Sequence, residues 1–181
     1  NWGTNDFSIR QRGEVRLDQK RLANFSSRVG AEEIDASSAT LLLAEFGYQK
    51  GRMHVSAEYG QIDVSANSGS DETFEGGYAQ VGYFLGDNQR KYNKGSAKWN
   101  KPSNLDNQWE VFARFSTLDM TTDSAGTKAD VITLGANHYI NSKVRMSYNY
   151  VLGDVSGPSQ AALSGTDDDG QALVARLQYL F

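Results

Sequence analysis

The feature that most constrains the fold of this chain is a repeated alternation of apolar and polar residues along segments of roughly ten or more positions. Successive side chains of a β-strand point to opposite faces, so such a segment predicts a strand with one apolar and one polar face. In residues 143–155, for example, Val144 and Met146 alternate with Arg145 and Ser147. The pattern recurs at residues 6–17, 39–49, 53–66, 74–85, 108–120, 129–140, 143–155 and 171–181.

Composition narrows the class of protein. The longest apolar run is residues 41–44, far short of the roughly 20 residues of a transmembrane helix. The absence of cysteine excludes disulfides and cysteine-ligated zinc, and the net charge of -4 argues against nucleic-acid binding. The mean hydropathy of -0.56 is still compatible with a membrane barrel, because only alternate strand residues face lipid.

Aromatic residues separate a membrane barrel from a soluble sandwich, whose strands also alternate. The apolar face carries them near the ends of the segments, as in the girdles that lie at the level of lipid headgroups. We therefore predict an all-β fold, a transmembrane antiparallel up-and-down β-barrel with about eight strands in this chain. The aromatic residues concerned are Phe7, Tyr48, Tyr59, Tyr83, Trp109, Tyr148, Tyr150, Tyr179 and Phe181.

The last segment, residues 171–181, ends on Phe181, with Tyr179 and Leu177 at alternate positions before it. This arrangement resembles the C-terminal signal that the barrel-assembly machinery of bacteria reads. A soluble protein that ended on such a strand would expose an aggregation-prone edge. We therefore predict a location in the bacterial outer membrane, with the assembly machinery, membrane lipid and lipopolysaccharide as partners.

The links between segments fit this orientation, with one exception. If the C-terminus is periplasmic, the short links at 50–52 and 141–142 are periplasmic, and the links at 18–36, 67–73, 121–128 and 156–170 are extracellular. Bacterial barrels have short periplasmic turns and longer extracellular loops. The link at 86–107 is long and yet falls on the periplasmic side, which the barrel pattern does not explain.

Charged residues on the polar face indicate which solutes could pass along it. Guanidinium groups are permanently charged and bind oxyanions bidentately, and rings of them select anions. We predict that the anion pathway is formed by Arg10, Arg12, Arg16, Arg114, Arg145 and Arg176. Four acidic residues share this face, so the positive excess is small and a general diffusion pore remains open as an alternative. They are Glu14, Glu45, Glu58 and Glu110.

Several stretches resemble one family of porins. "FEGGYAQVGYFLGDNQRKY" and "WEVFARFSTLDM", from residue 74 onwards, are similar to strands of the phosphate- and polyphosphate-selective porins of the O/P type. "VITLGANHYINSKVRMSYNYV" and "ALVARLQYLF" are similar to the final strands of that family. "FSIRQRGEVRL" is a weaker match, to a strand that bears an Arg-x-Arg pair.

The resemblance implies more than the pattern does. Family members form sixteen-stranded trimeric barrels about twice as long, so residues 1–181 form either one β-barrel domain or the C-terminal half of one. The resemblance also implies passive diffusion of small anions such as phosphate or polyphosphate, with Arg10 and Arg12 in an arginine ladder and with a homotrimer as the assembly. A structural or surface-interaction barrel without ion selectivity is the other alternative.

No motif indicates catalysis, a cofactor or a metal centre. The three acidic residues at 167–169 resemble a calcium ligand set, but solvated loop residues are the preferred interpretation. The basic link around Arg90 is either an anion funnel or a solvated linker. Glu58 and Glu110 are interpreted as partners of neighbouring arginines and not as a catalytic carboxylate pair.

Overall fold

A computed structural model describes residues 6–7, 9–11, 23–26, 34–96, 98–100, 102, 105–159 and 169–179. Period-2 segments become strands, and the chain between them turns at polar and glycine-containing sites. The strands are β1 (Asp6–Phe7), β2 (Ile9–Gln11), β3 (Ala23–Phe25), β4 (Ile34–Lys50), β5 (Met53–Ala66), β6 (Glu72–Phe84), β7 (Tyr92–Asn93), β8 (Lys98–Trp99), β9 (Gln108–Thr121), β10 (Gly126–Tyr139), β11 (Val144–Ser156) and β12 (Asp169–Tyr179).

The main sheet is antiparallel and has the order β1-β4-β5-β6-β9-β10-β11-β12. Seven of its strands are long, and the eighth, β1, has two residues. The all-β antiparallel fold is therefore confirmed. Within the described residues the sheet is open, with β1 and β12 as its edges. No helix in this part of the chain is long and apolar enough to cross a membrane.

The two faces of the sheet differ as the alternation predicts. One face, here called the apolar face, exposes large hydrophobic side chains, and the other, the polar face, carries Glu45, Glu58, Glu110 and the arginines of β9, β11 and β12. Antiparallel neighbours that lie directly opposite share a face, so the register extends each face across the sheet. The apolar face includes Phe46, Tyr59, Val81, Tyr83, Trp109, Val111, Phe115, Ile132, Leu134, Tyr148, Tyr150, Leu152, Leu173, Leu177 and Tyr179.

The first predicted segment, residues 6–17, is not one long strand as expected. Asp6–Phe7 pairs with residues 34–35 of β4, whereas Ile9–Gln11 pairs with Ala23–Phe25 in a separate two-stranded sheet. Residues 12–17 lie outside the described part of the chain. The partner of β2 is thus β3, which is buried on the main sheet, and not β4.

The link at 18–36, expected to be an extracellular loop, contributes β3 to the interior of the fold. Ala23 and Phe25 pack on the polar face of the main sheet, where the Phe25 and Phe74 rings lie 5.0 Å apart. The backbone N–H of Asn24 donates a hydrogen bond to Thr127 Oγ1 at 2.9 Å. An apolar cluster therefore covers one end of this face; it contains Ala23, Phe25, Val64, Phe74, Met120, Ala125 and Ala129.

The long link between β6 and β9 also folds back on the polar face, at the opposite end. Its hairpin, β7–β8, brings Trp99 to 6.0 Å from the ring of His54. A Cβ placed on Gly47 would lie only 3.4 Å from Trp99 Cζ2, so the hairpin sits closely on β4. The length of this link is thus explained, because it covers a surface of the sheet that a short turn cannot reach. We call residues 85–107 the inner segment.

Candidate functional site

Three predicted pathway arginines lie on the polar face of neighbouring or near strands. Arg114 is central in β9, opposite Gln80 and Thr133 in the two adjacent strands. Arg145 and Arg176 lie on β11 and β12, and Arg176 pairs across the ladder with Ser147. The strand periodicity places all three on the face opposite the exposed hydrophobic residues.

Arg114 belongs to a polar row in the middle of the sheet. Its guanidinium carbon lies 3.7 Å from the centroid of the Tyr78 ring, a cation–π contact that fixes the side chain against the strand. The Tyr78 hydroxyl donates a hydrogen bond to Glu58 Oε1, and Glu58 lies directly opposite Glu45. A basic and an acidic patch therefore share this row.

Arg145 borders a cavity of about 220 Å³ between the inner segment and the turn that joins β10 to β11. Its Nη2 donates a hydrogen bond to Gln178 Oε1 at 2.7 Å, and its guanidinium lies 5.8 Å from the centre of the Tyr139 ring. Arg90 and Lys143 also line this cavity. Three cationic side chains thus converge where the inner segment meets the strand ends.

Glu110 is the most densely hydrogen-bonded group of the polar face. Its side chain is 1% exposed. Oε1 accepts hydrogen bonds from His54 Nε2 at 2.7 Å and from Arg90 Nε at 2.9 Å. Oε2 accepts from Arg90 Nη2 at 3.1 Å, Asn137 Nδ2 at 3.0 Å and the Tyr139 hydroxyl at 2.7 Å. The interpretation of Glu110 as an arginine partner is confirmed, although the arginine comes from the inner segment and not from a neighbouring strand.

Arg90 keeps its charge in this half-buried position. Burial alone lowers the pKa of its guanidinium, but hydrogen bonds and charge attraction from Glu110 and Tyr139 outweigh burial and raise that pKa above its ordinary value. A bidentate guanidinium–carboxylate pair of this kind is short, directional and strong. The pair therefore neutralises Glu110 and joins the inner segment to the strands.

The other predicted site residues are placed only in part. The backbone of Arg10 pairs with Asn24, and Arg12, Arg16 and Phe181 lie outside the described residues. Leu177 and Tyr179 lie on the apolar face and are 68% and 58% exposed. Their role in assembly stays a prediction, as does the pathway role of the arginines.

Sequence reasoning did not find the partners of Glu110. His54 belongs to no recognisable ligand spacing in the sequence, and it meets Glu110 only because β5 and β9 flank β6 in the sheet. The alternation did place His54 and Glu110 on the same face, and this was the available signal. Among the described residues no group of three acidic or histidine side chains is placed to hold a metal ion, and residues 167–168 lie outside this part.

Comparison with known proteins fits this two-faced sheet. The sequence profile of the family described as "Phosphate-selective porin O and P" matches residues 1–181. The chain belongs to this porin family. It is also 32% identical over 152 residues to Porin O of Pseudomonas aeruginosa, an alignment that covers 76% of this chain and 34% of Porin O. The porin sequence described here thus spans about a third of the length of this curated relative.

Family membership establishes the class and location of the protein. The predicted resemblance to the porin O/P type and the predicted location in the bacterial outer membrane are confirmed. A porin relative implies a channel and not an enzyme. The exposed hydrophobic residues of the apolar face form the kind of surface that the strands of outer-membrane barrels turn toward lipid.

Proposed function

We propose that this chain forms the C-terminal half of a porin barrel for passive diffusion of small oxyanions, with phosphate or polyphosphate as the preferred class. In this proposal the polar face lines the lumen. The two open edges, β1–β4 and β12, pair with strands contributed by the rest of the full-length protein. Three such barrels form a homotrimer, and Leu177, Tyr179 and Phe181 present the assembly signal.

The observation that carries the proposal is the position of the arginines on the polar face. Arg114, Arg145 and Arg176 lie on β9, β11 and β12, opposite a face of exposed hydrophobic residues. Arginine in a strand buried on both faces would need a paired partner, but in a water-filled lumen it stays hydrated and available to anions. Guanidinium also matches the oxygens of phosphate in charge and geometry.

The inner segment strengthens the positive character of the lumen. Its Lys91, Lys94 and Lys98 are exposed, and the segment that carries them lies on the polar face. Arg90 neutralises Glu110, so the balance of charge is more positive than a count of strand residues suggests. This arrangement favours the anion funnel over the solvated linker and favours anion preference over general diffusion.

Inhibition of chloride current by phosphate tests this function. The full-length porin is reconstituted in a planar bilayer, and its chloride conductance is measured as inorganic phosphate is added. Loss of one charge-assisted contact weakens anion binding by about tenfold, so R114A and R145A should raise the phosphate concentration that halves the current by about this factor.

A basic residue on the other face supplies the matched control. Lys128 lies on the same face as Ile132, near Asp119 and Asp130. The K128A variant removes one positive charge outside the proposed lumen and should leave phosphate inhibition unchanged. Equal effects of K128A and R114A would contradict the placement of the arginines, and wild-type currents indifferent to phosphate would contradict the substrate class.

A further inference from the structure

The attachment of the inner segment to the strands depends on one buried carboxylate. Glu110 is held on β9, and two hydrogen bonds from Arg90 reach it from the inner segment. His54, Asn137 and Tyr139 come from β5 and β10, so residues of two further strands converge on the same two oxygen atoms. Backbone ladders fix these strands independently of the segment, and the carboxylate is therefore presented to Arg90 from a rigid surface.

Two other side-chain contacts of the inner segment with the strands are exposed to solvent. The Arg52–Asp87 ion pair is solvent-exposed, with side-chain exposures of 43% and 91%. Gln49 Nε2 donates to Gln89 Oε1 at 3.2 Å, also at the surface. Exposed pairs contribute little to stability, whereas removal of one partner from a buried ion pair leaves an uncompensated charge and is costly. The buried Arg90–Glu110 pair is thus a stronger polar anchor of the segment than these exposed contacts.

We propose that Glu110 is a positioning residue that clamps the inner segment inside the lumen and thereby sets where Lys91, Lys94 and Lys98 meet the permeating anion. The inference rests on the proposed function, because it takes the polar face as the lumen. Trp99 and Tyr92 pack on β4 and β5 and guide the segment, but apolar contacts alone allow it to slide. The bidentate pair fixes its register.

Chemical modification of a single cysteine at the tip of the segment tests the clamp. Residues 1–181 contain no cysteine, and any elsewhere in the full-length porin is first replaced by serine. Lys94 begins the turn between β7 and β8 and is exposed. In K94C, reaction with the anionic reagent 2-sulfonatoethyl methanethiosulfonate should lower the single-channel chloride conductance by about twofold, because a fixed negative charge then lies in the anion path.

Variants at the clamp decide the inference. The fall in conductance on modification, here called the conductance step, should be lost in K94C/E110Q and in K94C/R90A, or replaced by rapid fluctuation between conductance levels. Glu45→Gln is the matched control, since it removes a carboxylate from the same face without contacting Arg90; K94C/E45Q should keep the step. If E110Q fails to form a barrel, shown by loss of its heat-modifiable migration on gels, R90A alone decides, because Glu110 then keeps its three strand partners.

The outcomes separate the clamp from the proposed function. A conductance step that persists unchanged in both K94C/R90A and K94C/E110Q would overturn the clamp. The clamp would also be overturned if the K94C single variant showed no conductance step, since the segment would then lie outside the current path. A wild-type pore that conducts but prefers cations would instead overturn the proposed function. In that case modification of K94C should raise the current, and the clamp variants would still be expected to abolish the change.

Discussion

At the scale of single residues, Gly82 shows how the Glu110 cluster is accommodated. It lies directly opposite His54 in the neighbouring strand. A Cβ at this position would come within 2.3 Å of His54 Cε1 and Nε2. The absence of a side chain is thus what allows the imidazole to cross β6 and reach Glu110 on β9. His54 has little freedom to yield, because the rings of Phe84 and Trp99 lie 6.0 Å away and the hydrogen bond to Glu110 holds its tip.

Replacement of Gly82 by alanine should therefore destabilise the porin. The added methyl group displaces His54 from Glu110, and overpacking of this kind costs about 1–3 kcal/mol. Gly153→Ala is the matched control. Gly153 lies in β11 on the same face of the sheet as Gly82, and a Cβ added there would have its nearest neighbouring atom 4.0 Å away. Urea unfolding in lipid vesicles measures both free energies of unfolding. Equal values for the two variants would show that His54 does not depend on the space above Gly82.

The sequence identified the kind of partner that Glu110 has but not its origin. The alternation placed Glu110 among the arginines of one face, which led to the prediction of an ion pair. It did not single out Arg90, because Arg90 lies in a link without periodicity and reaches Glu110 only through the fold of the inner segment. His54 was missed because its contact depends on strand order across the sheet, which short-range spacing does not encode.

At the scale of elements, the two-faced strand is the unit that both the sequence and the structure share. Residues 53–66 were predicted as a strand and form β5 with the same bounds, because alternation is a local signal. The hairpin β7–β8 and strand β3 were not predicted. These strands are two or three residues long, too short for a detectable alternation. They are held by contacts between residues distant in the chain, such as Phe25 with Phe74. The failure for residues 6–17 has the same origin.

Arginine in the middle of the apolar face should destabilise the porin. Leu134 is 50% exposed and lies between Ala113 and Tyr150 of the adjacent strands. Lipid does not hydrate a guanidinium, and such a substitution near the bilayer midplane costs about 2–4 kcal/mol. Leu41 is 61% exposed on the opposite face, so L41R serves as the control and should cost far less. Urea unfolding in vesicles gives both values; similar costs would contradict the assignment of the two faces.

At the scale of the whole molecule, two observations support the proposal of a half-barrel: the sheet is open, and the chain aligns with only part of the length of Porin O. Seven long strands form an open sheet with two edges among the described residues, and the alignment covers 34% of Porin O. Unpaired strand edges are incompatible with the hydrocarbon core of a membrane, which supports the proposal that strands from the rest of the full-length protein pair with these edges. The alternation predicted the strands of this sheet, whereas closure, trimer formation and selectivity stay proposals for the full-length protein.

The central claim is that the polar face of this sheet lines an anion pathway. The most direct measurement is the reversal potential of the full-length porin in a planar bilayer that separates two concentrations of potassium chloride. We expect a potential of the sign set by chloride, and a shift toward zero in the R114A/R145A/R176A variant, because the fixed positive charge that excludes potassium is removed. A wild-type potential of the sign set by potassium, or one that the triple variant leaves unchanged, would contradict the account.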